Sequence, residues 1–521
     1  WNVRGGAYKG SKRGIIGQGI IIFNPTMKLL GVCVDQTSPH SLIFISKEPI
    51  NIGEYVVVDD EIRKLLGIVS SVYSENPYIT ESIINPEYVQ KIDNLTNNMV
   101  KYKAVVNLLG EITDSGLSAL KYPPRPSRSV YKADNEILKK VFKIDDKKFV
   151  KIGTLLNNKE IPVYINLEQA IIRHLAILAI TGAGKSNTVA VLIEKIAQKN
   201  GTALIFDIHG EYKISSFNVI DPKINPYSLD VDEIAGLIGI DMDTSAQMYH
   251  LLSEIIEEIK RRNYSNDEED TLSKELRKTF LEDLITELDN LKNDKEKIRE
   301  YGRDTTFRLL NRLKNLKNKF GSLFVDGATE LLKRIVNGRI NILDLSGLDE
   351  DKADIIISHV LSSILNDRKR ESKKHLEAPI VCILEEAHLF ASAQRRTRSK
   401  YILNRIAREG RKFGVGLWIV SQRPKGLDPD ILSQMNNMII LKLVEPEDQV
   451  HVRRASESLS EELMRYLPSL NPGEAIIVGN MVKIPILVKI EKSSTKIQGQ
   501  DPNVIEEWEK LKQKPEFSND I

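Results

Sequence analysis

His174-Leu175-Ala176-Ile177-Leu178-Ala179-Ile180-Thr181-Gly182-Ala183-Gly184-Lys185-Ser186 is the stretch that decides the fold. An apolar run ends in a glycine turn, Lys-Ser follows, and Val189, Leu192, Ile193 and Ile196 then recur at helical spacing. Strand, glycine loop and helix in that order are the setting of a phosphate-binding loop. The loop's N–H groups point inward and the helix N-terminus adds partial positive charge, so the main chain itself holds a phosphate chain. Gly182 and Gly184 let the backbone turn and approach a ligand closely. The expected cradle is Gly182, Ala183, Gly184, Lys185, Ser186 and Asn187. Lys185 is expected on the β- and γ-phosphates of ATP, and the Ser186 hydroxyl on Mg²⁺. The strict pattern has glycine where this chain has Ala179, a residue small enough for the position.

Outward from the loop, strands and helices alternate. Thr202–Phe206 is apolar and ends in Asp207-Ile208-His209-Gly210-Glu211-Tyr212. Pro379–Leu384 ends in Glu385-Glu386-Ala387-His388, and Val415–Val420 in Ser421-Gln422-Arg423-Pro424. Unbroken apolar runs fit parallel strands covered on both faces. Polar residues at their C-terminal ends lie where open α/β sheets bind ligands. Phosphoryl transfer needs an acid on Mg²⁺, a residue that orients water, and positive charge for the transition state. Glu385 is expected to take the first role and Glu386 the second, with Gln422 reading the γ-phosphate. Asp207, His209 and Glu211 are neighbouring candidates for positioning water or sensing nucleotide. The loop carries no arginine, so Arg408 and Arg411, on the helix after the glutamates, are candidates for a charge supplied to a neighbouring subunit.

The flanks divide the chain. Residues 1–26 are expected to stand outside the core fold. Residues 27–121 carry short Val/Ile-rich runs separated by turns, with Asp59-Asp60-Glu61 as a hairpin tip, and predict a small barrel. Residues 122–150 open with Tyr122-Pro123-Pro124-Arg125-Pro126 and read as a linker. The ATPase core is expected over 151–228 and 336–490. Leucine and isoleucine at helical spacing between charges predict a helical-bundle insertion over 229–335. Its charge runs, 266–270 and 292–297, read as solvated faces. Residues 491–521, with Trp508, are expected to form a C-terminal brace or tail.

Composition narrows the class. With 521 residues and 28% charged side chains, the chain has room for two to four globular domains. A net charge of +2 means that any nucleic-acid contact must come from a local patch, and Arg395–Lys400 is the candidate. Two cysteines, both within apolar runs, argue against a disulfide framework and for a reducing cytoplasm. No apolar run is long enough to span a membrane.

Arg173–Leu178 before the loop, Asp207–Tyr212, Leu384–His388, Arg405–Gly414 and Ser421–Pro424 together resemble the archaeal HerA DNA helicase/translocase family of the HerA–FtsK ATPases. The resemblance spans roughly Met27 to Trp508. It implies an α/β fold: a RecA-like P-loop ATPase core with an N-terminal β-barrel, an inserted helical bundle and a C-terminal brace. It implies a homo-hexamer that moves double-stranded DNA and acts with a NurA-type nuclease in end resection and recombinational repair. It makes Glu386 the catalytic glutamate, Arg411 the arginine acting in trans, and Arg173 a second arginine near a nucleotide. Two other outcomes fit the same residues: a conjugation- or secretion-type pump for polypeptide or single-stranded DNA, and an ATP-dependent clamp that activates a nuclease.

Overall fold

The computed structural model describes residues 27–79, 85–96, 99–114, 116–142, 147–240, 242, 244–264, 279–291, 295–456, 458–495 and 508–509. The expectations for residues 1–26, for the charge run 266–270 and for most of the tail lie outside these. The chain forms two compact units, one ending at Lys143 and one beginning at Ile144.

The first unit is built on period-two patterning. Its strands are β1 (Leu29–Val34), β2 (Ser41–Ser46), β3 (Tyr55–Asp60), β4 (Arg63–Glu75), β5 (Lys101–Thr113), β6 (Gly116–Ser118) and β7 (Ser129–Lys132). Alternate residues such as Leu42 and Phe44, Val56 and Val58, and Ala104 and Val106 point into one shared core. The order β2-β1-β7-β3-β4-β5 is antiparallel throughout, and β5 pairs back onto β2, so these six strands close into a barrel, with the short β6 paired to the end of β5.

Two expectations need correction here. The segment read as a linker contains β7, which pairs with both β1 and β3 and completes the barrel, and a helix, Asn135–Phe142, that buries Leu138, Val141 and Phe142. β7 is too short, and too close to Pro123, Pro124 and Pro126, to show a period of its own. The hairpin tip is also displaced. Asp59 and Asp60 belong to β3, and the turn is Glu61-Ile62, with Glu61 at φ 58°. Asp60 is buried and paired with Arg63 at 2.9 Å.

The second unit is one mixed sheet of β8 (Phe149–Leu155), β9 (Asn158–Asn166), β10 (Leu175–Leu178), β11 (Thr202–Asp207), β12 (Asn218–Ile220), β13 (Ile340–Asp344), β14 (Ile380–Leu384), β15 (Val415–Ser421), β16 (Asn437–Ile440), β17 (Glu474–Gly479) and β18 (Ile486–Ile490). Their order is β12-β13-β11-β14-β15-β10-β16-β17-β18-β8-β9. From β12 to β16 every pair is parallel, and from β16 to β9 every pair is antiparallel. The parallel strands are largely apolar because helices cover both faces: β10, β11, β14 and β15 are buried at every position.

Helices between β12 and β13 form the insertion. Ala246–Tyr264, Phe280–Leu291 and Arg303–Phe320 bury Leu251, Leu252, Ile255 and Ile256, Leu284 and Leu288, and Leu309, Leu310 and Leu313. Lys297, from the second charge run, pairs with Glu254 at 2.7 Å.

Candidate nucleotide site

The P-loop leaves β10 and enters the helix Lys185–Gln198. Gly182 and Gly184 both take positive φ, 76° and 99°. A Cβ on Gly184 would lie 3.0 Å from the Gly473 amide, which itself donates to the Ala183 carbonyl, so only glycine fits there. Ser186 is half-buried in the helix's first turn.

β15 lies between the loop strand β10 and the acidic strand β14. All three strands end at the same edge, so Lys185, Gln422 and Glu386 converge. Lys185 Nζ donates to Glu386 Oε1 at 2.5 Å, and Gln422 Nε2 donates to the same oxygen at 2.7 Å. Thr181 Oγ1 in turn donates to Gln422 Oε1 at 2.5 Å. His388 Nδ1 lies 3.4 Å from Glu386 Oε2 and 3.3 Å from Ser421 Oγ, and His209 Nε2 lies 3.8 Å from Glu386 Oε1. Burial holds His388 below the ordinary histidine range. Glu386 sits at φ 44°, a left-handed conformation that costs a non-glycine residue on the order of 1 kcal/mol or more. This left-handed residue comes directly after Glu385, and the two adjacent glutamates meet different partners.

Glu385 continues β14 and is 2% exposed. Its Oε1 accepts from the Tyr212 hydroxyl at 2.7 Å, while Oε2 has no partner among the described residues. Burial pushes its carboxyl up to about 8, against the hydrogen bond from Tyr212 and the charge of Lys185, which pull it down. Burial, and then the neighbouring Glu385 charge, raises the Tyr212 hydroxyl well above its usual range. Ser186 and Glu385 suit Mg²⁺, a hard cation that in nucleotide sites takes one or two protein oxygens and fills its shell with phosphate and water. The unpartnered buried Oε2 is the kind of oxygen such an ion satisfies.

Several expected ligands have other work. Asp207 Oδ1 accepts from the Gly210 and Glu211 amides at 2.8 and 3.1 Å, and Oδ2 accepts from the Tyr212 amide at 3.0 Å. It organises a turn, although burial holds its carboxyl above the usual range. Asn187 faces away from the loop: its Nδ2 donates to the Glu491 carbonyl at 2.9 Å, and its Oδ1 accepts from the Ser493 amide at 2.9 Å. Glu211 keeps a buried Oε2 without a partner among the described residues. Within the basic run, Arg395 pairs with Glu350, Arg398 donates to the Gly236 and Leu237 carbonyls, and Lys400 pairs with Asp428 at 2.7 Å. Only Arg396 of that loop's four cations makes no ion pair or side-chain hydrogen bond with the described residues. Arg408 is exposed, 3.8 Å from Asp430, on the wall of an open concavity of about 850 Å³ shared with Arg396, Tyr401 and Arg405.

Arg173 and Arg411 lie at the opposite edge of the sheet. Arg173 caps the helix Leu167–Ile172 just before β10, and Arg411 lies in the last turn of the helix Arg398–Phe413 just before β15. The four residues of β10, about 13 Å of strand at ~3.3 Å per residue, separate Arg173 from the start of the loop. His174 joins these two termini. It is buried at φ 60°, its Nδ1 accepts from the Leu417 amide at 3.0 Å, and its ring donates to the Ala407 carbonyl. Sequence reasoning missed the roles of Thr181, Tyr212, His388 and His174. For Tyr212 a signal existed: an aromatic residue closing an otherwise polar strand-end turn.

Comparisons with known proteins bear on the family and the fold. Residues 150–364 match the family model described as Helicase HerA, central domain, and residues 30–114 match the HAS barrel domain. The DNA double-strand break repair helicase HerA of Sulfurisphaera tokodaii is 38% identical over 95% of this chain and 99% of its own length. The chain belongs to the HerA family. The helicase of the same name from Sulfolobus acidocaldarius is also 38% identical, over 94% of this chain and 99% of its own. VirB4 of Thermoanaerobacter pseudethanolicus shares the fold at a TM-score of 0.50 and 19% identity, covering 67% of this chain and 98% of its own. Among the described residues of this HerA chain, no helix is long and apolar enough to cross a membrane.

Proposed function

We propose that this HerA chain is an ATP-driven motor that moves double-stranded DNA as a homo-hexamer, with each ATP site completed by the next copy, and that it works with a NurA-type nuclease in end resection. The observation that carries the reading is the division of parts across one sheet. Lys185, Glu386 and Gln422 meet at the C-terminal strand ends, while Arg173 and Arg411 stand at the N-terminal ends. Arg411 is exposed and makes no ion pair with the described residues, as suits a cation meant for another molecule's phosphate.

The chemistry follows from the contacts. Lys185 and Glu386 hold each other when no phosphate is present. A γ-phosphate draws Lys185 away, and Glu386, still held by Gln422, becomes free to accept a proton from the attacking water. Mg²⁺ bound by Ser186 and Glu385 would neutralise charge developing on the phosphate oxygens. Arg411 of an adjacent copy stabilises the same charge from outside, a contribution worth about 10³–10⁵ in rate for an arginine acting in trans. Hydrolysis removes that contact and loosens the seam between copies, which couples chemistry to movement.

The test is solution mass with and without ATP, together with subunit mixing. Lys185→Ala and Arg411→Ala chains, each inactive alone, should regain part of the ATPase when mixed, because some seams then carry both intact halves. A monomer at working concentration, or mixtures that never recover, would refute the shared site. Stimulation of hydrolysis by duplex DNA over single strands separates the DNA motor from the pump, and displacement of a bound roadblock separates it from the clamp.

A further inference from the structure

We propose that Tyr212 is a positioning residue for the divalent cation: it holds one oxygen of Glu385 so that the other is presented to the metal. The proposal rests on the reading of Ser186 and Glu385 as the Mg²⁺ holders and extends it to a residue on a different strand end.

Asp207 spends both carboxylate oxygens on three consecutive backbone amides, and that fixes the turn after β11. The turn drives Tyr212 inward, where it is 1% exposed. Its hydroxyl has one proton to give, and at 2.7 Å the acceptor is Glu385 Oε1. A carboxylate's terminal torsion is broad and nearly two-fold, so without a partner Glu385 would sample many settings. With Oε1 held, Oε2 has one setting, and it is there that it lacks a partner. A buried carboxylate oxygen left unpaired is costly and calls for a ligand. Glu211, on the same turn, also leaves a buried Oε2 unpartnered, and its charge bears unfavourably on Glu385. A divalent cation is the ligand chemistry that satisfies the Glu385 oxygen, and its charge would offset that of Glu211. Its other oxygens would come from Ser186, phosphate and water.

The experiment uses the full chain and a fluorescent ATP analogue. Tyr212→Phe removes the hydroxyl and keeps the ring. The Mg²⁺ concentration needed to half-saturate analogue binding should rise about tenfold, the effect of losing one hydrogen bond to a charged group. Binding of the analogue in EDTA should not change. In a Glu385→Gln background, Tyr212→Phe should add nothing to the Mg²⁺ requirement, because its target is gone. A tyrosine that only fills the core would weaken binding with and without metal, and would add to Glu385→Gln. An unchanged Mg²⁺ requirement in Tyr212→Phe, or a full further loss in the double variant, overturns the proposal. If Tyr212→Phe does not fold, Asp207→Asn, which loosens the turn, is read in the same assay, and an unchanged requirement there overturns it equally. A wild-type chain that binds the analogue without regard to Mg²⁺ overturns instead the metal reading beneath it.

Discussion

His174 makes the stability of the ATPase unit acid-sensitive. Burial holds its ring at about 4, against 6.5 for a free histidine, and the hydrogen bond to the Ala407 carbonyl offsets only part of that. Nδ1 must stay unprotonated to accept from the Leu417 amide. The folded pKa is depressed, so the unfolded chain takes up a proton first as pH falls. Stability is then lost across the window from 6.5 down towards 4. Linkage places the loss at about 2 kcal/mol by pH 5 and about 3 kcal/mol by pH 4. Other groups titrate in the same range, so the informative quantity is a difference. His174→Gln removes the titration while its amide can still both accept and donate. It will be less stable than wild type at pH 7, partly because glutamine tolerates φ 60° poorly. The gap should narrow by about 2 kcal/mol between pH 7 and pH 5. Urea unfolding of both proteins at half-unit steps, with exchange of the Leu417 amide as the local probe, measures it. Two stability curves that stay parallel from pH 7 to pH 4.5 would refute the account, as would a gap that widens.

Three further outcomes are expected. Glu386→Gln should keep nucleotide binding, since its amide oxygen still accepts from Lys185 and Gln422, while turnover falls by about 10²–10⁴; steady-state ATPase beside analogue binding checks this. Asn187→Ala should cost about 1 kcal/mol of stability through its two lost contacts, and should raise exchange at the Ser493 amide without changing residues around Glu386. Duplex DNA binding should fall steeply with salt, and Arg396→Ala should lower the log–log slope by about 0.9 if that exposed cation meets one phosphate; a binding isotherm series at four salt concentrations decides it.

The strand ends were legible because their logic is local. A buried parallel strand is apolar until it meets the ligand edge, so Glu385, Glu386 and Gln422 announced themselves. So did the loop, whose glycines have one purpose. Side-chain economy at turns was not legible. Nothing in the order of residues says that Asp207 spends its oxygens on its own turn, or that Asn187 turns its amide towards residues three hundred positions later. β7 escaped for a related reason: its four residues are specified by the gap between β1 and β3, which exists only once the barrel closes. The resemblance gave Arg173 and Arg411 roles near a nucleotide, but their shared place at the far edge was not legible, since neither spacing nor composition tells which end of a helix meets which end of a strand.

The attachment of the chain beyond β18 has a practical consequence. Glu194 collects the Ser493 and Ser494 hydroxyls and the Thr495 amide, Lys195 pairs with Glu491, and Asn187 holds the backbone between them. All three anchors belong to the helix that begins with Lys185 and Ser186. Trimming the protein at Ile490 to obtain a tidier sample would therefore strip that helix of its lashing, two residues from the lysine proposed to meet ATP. A shortened protein that hydrolyses poorly would report damage to the helix after the glycine loop, and should not be taken as proof that the removed residues touch DNA or nuclease.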